Sequence, residues 1–136
     1  MNRILLLSAL AALAPTAAAA PTPRTSPYVA AALANQAQWL TAIRDATALL
    51  EGIKDTAGAD AAVPALQALA ERMRQLQRES AGFTAPSAED EAAFKAAMNA
   101  AEVKRTVAAF MAALETVVQA NGYHSAALLA ELSSLL

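Results

Sequence analysis

Apolar residues recur at helical spacing along most of the chain, and the clearest stretch runs from Trp39 to Leu76. Trp39, Ile43, Ala46, Leu50 and Ile53 follow one another at steps of four, three, four and three. Ala62, Leu66, Leu69, Met73 and Leu76 repeat the same rhythm. Such steps place every side chain of a set on one stripe of a helix, so each segment has a single dry face. Between them lies Asp55-Thr56-Ala57-Gly58-Ala59-Asp60, a run of residues that cap or break helices. Two helices folded back on each other follow from this pattern. A biochemical activity does not.

The first helix is expected from near Tyr28 to about Lys54, passing through Gly52 because Ile53 still falls on the dry face. The second is expected to start between Gly58 and Asp60 and to end near Ser80, since Pro64 is tolerated only in a first turn. Arms of roughly 40 and 32 Å would pair along most of their length. Gly82 and Phe83 read as a glycine stop with an apolar residue folded back. Ser87 can then cap a third helix whose first turn carries Glu89, Asp90 and Glu91, where negative charge suits the dipole.

Two faces are written into that third helix. Val103, Val107, Phe110, Leu114 and Val117 share one stripe, while Phe94 and Met98 point nearly the opposite way at 100° per residue. One long helix with two contact faces is the expectation, because no glycine or proline stands near Asn99. Phe94 and Met98 are then the candidate interaction face, covering the hairpin's other side or serving a second subunit. Asn121-Gly122-Tyr123 repeats the glycine stop, and Ser125 caps a short helix striped by Leu128, Leu132 and Leu135. The fold class is all-α: an antiparallel hairpin extended to a four-helix, bundle-like domain over residues 28–136.

Ahead of that domain, residues 1–19 read as a signal peptide. Arg3 gives a positive start, Ile4 to Leu13 is an apolar run broken by Ser8, and Ala17 to Ala20 offers small residues for cleavage after Ala19. The run is shorter than the about 20 apolar residues of a spanning helix and ends at Pro15. Membrane contact is therefore expected only through this segment before its removal. Residues 20–27, which include three prolines, are expected to form a mobile leader. Export to the periplasm or beyond the cell is the expected localisation.

Composition sharpens the picture. Forty of the 136 residues are alanine, so the chain is strongly helical rather than strongly hydrophobic, and its core should be thin. With no cysteine there is no disulfide, thiolate zinc site or cysteine nucleophile. A net charge of −2 gives no reason to expect nucleic acid. The one histidine, His124, lies in a turn, where a solvated side chain is the default. Paired with Met73, Met98 or Met111 it would have to face the core to hold haem, so no cofactor is expected. The serines Ser80, Ser87 and Ser125 sit at helix ends, where capping accounts for them.

The segment from Ile53 to Leu66, with its Ile-x-Asp turn, alanine-rich start and Pro64, followed by Leu69 and Arg72, resembles uncharacterised small exported bacterial α-helical hairpin proteins. Gly58 stands where those proteins commonly place a serine cap. The resemblance covers about a third of the mature chain. It implies a hairpin in an exported protein and carries over no catalytic residue. The leading expectation is a non-enzymatic interaction protein of the cell envelope, acting by helix contacts with itself or a protein partner. The alternative is a carrier or holdase that grips a small hydrophobic ligand or an unfolded chain in an apolar groove, using adaptable methionines.

Overall fold

Ser26 opens the structured part of the chain. The computed structural model describes residues 26–135, with the side chain of Leu135 excepted, so the signal segment and most of the leader lie outside the described residues. The Ser26 hydroxyl accepts the Val29 N–H at 3.2 Å, and Pro27 takes the first helical position, where no N–H is missed. Helix α1 then spans Pro27–Gly52. It ends two residues before the expected Lys54. Ile53 is extended (φ −72°, ψ 126°) and drops its side chain into the core, only 2% exposed. Its burial, which the periodicity foresaw, is achieved by leaving the helix. Lys54 donates its ammonium to the Glu51 carbonyl, covering the frayed last turn.

Helix α2 spans Thr56–Ala81, beginning before the expected Gly58. Asp55 decides the start: its carboxylate accepts the Gly58 N–H at 2.7 Å. A Cβ at position 58 would stand 3.1 Å from that carboxylate oxygen, so glycine lets the cap close. Pro64 consequently lies inside the helix, not in its first turn. Its ring is exposed, and it can offer no N–H to the carbonyl of Asp60. Gly82 ends the helix in an ordinary right-handed conformation, and Phe83 folds back with its N–H on the Ser80 carbonyl.

The expected single third helix is two helices. Helix α3 covers Ala88–Ala97, and helix α4 covers Ala100–Gln119. Met98 is extended (φ −67°, ψ 127°), and Asn99 caps α4 by accepting the Glu102 N–H at 3.0 Å. Asn99 was the overlooked signal: asparagine is among the best caps, and Glu102 stands three residues on. Arg44 of α1 forms an ion pair with Glu102, holding the start of α4 against the hairpin.

After α4 the chain makes one turn of the opposite hand. Asn121, Gly122, Tyr123 and His124 have φ of 51°, 57°, 54° and 65°. Thr56 donates its hydroxyl to the Tyr123 carbonyl at 2.6 Å, pinning this turn to the start of α2. Ser125 accepts the Leu128 N–H and donates to Asp60, which launches helix α5, Ala126–Leu135, along α2.

No strand occurs among the described residues. The hairpin of α1 and α2 is flanked by α4 and α3 on the α1 side and by α5 on the α2 side. The core sits at its closed end, where Leu50, Ile53, Leu66, Leu114, Val117 and Leu128 meet. None of the described helices is long and apolar enough to cross a membrane.

Candidate functional site

At the other, open end of the hairpin the two stripes do not close on each other. Tyr28, Ala32, Asn35 and Trp39 of α1 face Ala70, Met73 and Gln77 of α2 across a groove of about 760 Å³. Alanine at positions 32 and 70 makes a low floor, with both residues buried. Asn35 ties the floor together by donating its amide to the Leu76 carbonyl at 3.1 Å. Phe83 enters from the fold-back after α2, Phe94 from α3, and Ser134 from the end of α5.

Four of the six aromatic residues of the chain therefore line one open groove. Tyr28 and Phe94 meet edge to face, with ring centroids 6.5 Å apart and planes at 67°, a favoured aromatic geometry. Trp39 and Met73, expected in the dry hairpin seam, are half-buried in the groove instead. Beneath them Leu40, Ala70 and Leu76 are buried, so the seam is closed along its floor at this end too.

Of the candidate interaction face, Phe94 lines the groove, while Met98 sits half-buried at the joint between α3 and α4 and does not line it. The three methionines are also separated: Met73 lines the groove, and Met111 is 50% exposed on α4. His124 is exposed on the reversed-hand turn. No group of three potential metal-ligating side chains was found among the described residues.

The charges around the groove are unevenly spent. Arg74 is the charged residue of its lining, and its guanidinium lies 3.1 Å from Glu71. Arg78 claims the same carboxylate at 2.8 Å. On the α3 side Glu91 and Lys95 pair with each other at 2.5 Å. The hydrogen bond from Lys95, with its charge, holds the Glu91 carboxyl below the usual range, and the same bond raises Lys95. A second, shallower depression of about 300 Å³ lies between Thr41 and Leu69. The side chains of Arg72 and Gln38, both in its lining, hydrogen-bond to each other.

Sequence reasoning offered an apolar groove only as an alternative and did not locate it, because its walls come from five separate segments. Tyr28 and Trp39 do share the stripe of α1, which was a local signal. Nothing local reveals that Phe83 and Phe94 join them. Fold and site together define an all-α helical protein with an open aromatic groove. Compared with protein-family models, curated proteins and solved structures, the chain matches none.

Proposed function

We propose that the protein is a non-enzymatic binding protein of the bacterial cell envelope whose aromatic groove holds an apolar ligand. The observation that carries this reading is the gathering of Tyr28, Trp39, Phe83 and Phe94 around one concavity in a chain poor in aromatics. Binding sites are concave and mostly apolar, with a few polar groups at the edge, and a volume of about 760 Å³ suits a small molecule. Met73 beside the rings supplies an adaptable wall. The envelope location rests on the signal-like segment Met1 to Ala20. The absence of cysteine and the placement of the one histidine on an exposed turn support binding rather than covalent catalysis.

The alternative of helix contacts with a second copy or a protein partner draws on one observation. Met111 and Val118, a heptad apart on α4, are 50% and 53% exposed. The hairpin seams and the two-faced third segment, which first suggested it, are largely satisfied within the chain.

Trp39 is the only tryptophan and stands in the groove, so its emission reports occupancy. Mass spectrometry of the protein purified from the envelope is expected to find a bound apolar molecule. Adding that molecule to the emptied protein should shift Trp39 emission saturably, and Phe94→Ala should weaken the response. A ligand-free protein whose emission no apolar probe changes would overturn the proposal.

A further inference from the structure

Building on the reading of the groove as a ligand site, we infer that its ligand is a single-chain amphiphile with an anionic head, a free long-chain carboxylate. The tail lies among Tyr28, Trp39, Phe83 and Phe94, and the head meets Arg74.

Charge points to the head. The groove lining contains Arg74 and no carboxylate. Glu71, outside the lining, is shared by Arg74 at 3.1 Å and Arg78 at 2.8 Å, so it compensates Arg74 only in part. Across the groove Glu91 and Lys95 cancel each other. Glu79 of α2 accepts from the neutral Gln75 at 3.1 Å and keeps its charge, but it too stands outside the lining, where Arg74 is the one charged group. An anion entering here meets the Arg74 guanidinium as a charge-assisted partner, and a cation meets a group of its own sign.

Backbone chemistry points to the tail. The walls are mainly helical, with their main-chain groups bonded within the helices, so they offer no row of free N–H and C=O groups like a sheet edge. An extended peptide in this groove would leave amides desolvated and unpaired, a cost that a polymethylene chain does not carry. A second copy of the protein is also disfavoured. Fourteen residues line the groove, against about 20–30 on each side of a stable protein interface.

The test is an emission titration of the full purified protein with laurate, dodecanol and dodecylammonium, below the concentrations at which they form micelles. Laurate is expected to bind about two- to fivefold tighter than dodecanol, the range of an exposed ion pair. Dodecylammonium should be weaker still, and the laurate advantage should shrink with added salt. Arg74→Gln should erase the difference between laurate and dodecanol, with far-UV circular dichroism confirming that the variant folds. Equal affinity for all three probes would overturn the anionic head and leave the groove reading standing. Failure of every probe to move Trp39 emission would defeat the groove reading itself. A response to anionic phospholipid vesicles without one to monomeric laurate would replace a free carboxylate with a membrane surface.

Discussion

Gly122 and His124 stand in the same reversed-hand turn, yet they should respond to substitution in opposite ways. Gly122 is buried with φ 57°, and a Cβ there would stand 2.7 Å from Leu129 Cγ. Gly122→Ala adds left-handed strain and a collision, an expected loss of about 2–4 kcal/mol. His124 has φ 65° and an exposed side chain. His124→Gly relieves strain of about 1–2 kcal/mol but loosens the unfolded chain, so a net gain of about 0.5–1 kcal/mol is expected. Denaturant midpoints at unchanged slope would check both. A loss on removing His124 would show that its side chain does something beyond filling a turn.

Among the elements, helix existence and some ends, such as the Ser87 and Ser125 caps, were legible in the sequence, while the ends at Gly52, Thr56 and Ala97 were not. The stripes of α1, α2, α4 and α5 were readable because burial repeats with the helical period. The ends were set by single side chains that periodicity does not weigh. Asp55 moved the start of α2 forward and trapped Pro64 inside it, and Asn99 divided one expected helix into two. Asn99→Ala should cost about 1 kcal/mol through the lost cap. Pro64→Ala should restore the missing helical hydrogen bond and raise stability by about 1–3 kcal/mol. Thermal unfolding followed by circular dichroism would measure each. A destabilised Pro64→Ala protein would mean that the proline ring contributes to the packing or rigidity of α2 beyond the hydrogen bond it forgoes. Helix α3, which has no buried residue, should exchange its amide hydrogens faster than α1, α2 or α4.

For the whole molecule, the core is collected at one end and is built of few large residues. Leu66, only 1% exposed, packs among side chains from the other helices of that end. Leu66→Ala should cost about 2–5 kcal/mol, a large share of the about 5–15 kcal/mol typical of a domain. A markedly lowered thermal midpoint is the expected outcome by circular dichroism. The all-α class and the hairpin were legible because both follow from local periodicity. Of the candidate site, Phe94 was picked out as unpartnered by the main stripe, but Met98, named beside it, stays outside the groove. The remaining walls depend on where separate segments meet in space, which no local pattern records.

Helix α3 forms one side of the groove, yet it joins α4 through the extended Met98 and has no residue committed to the core. Swinging such a wall outward would break the ring contact between Tyr28 and Phe94 and the packing of α3 on α1, and would leave the core at the closed end intact. Under the proposed binding function, a guest would enter broadside instead of threading in from one end. Uptake should accelerate in proportion to guest concentration, with no slow unfolding step setting a ceiling.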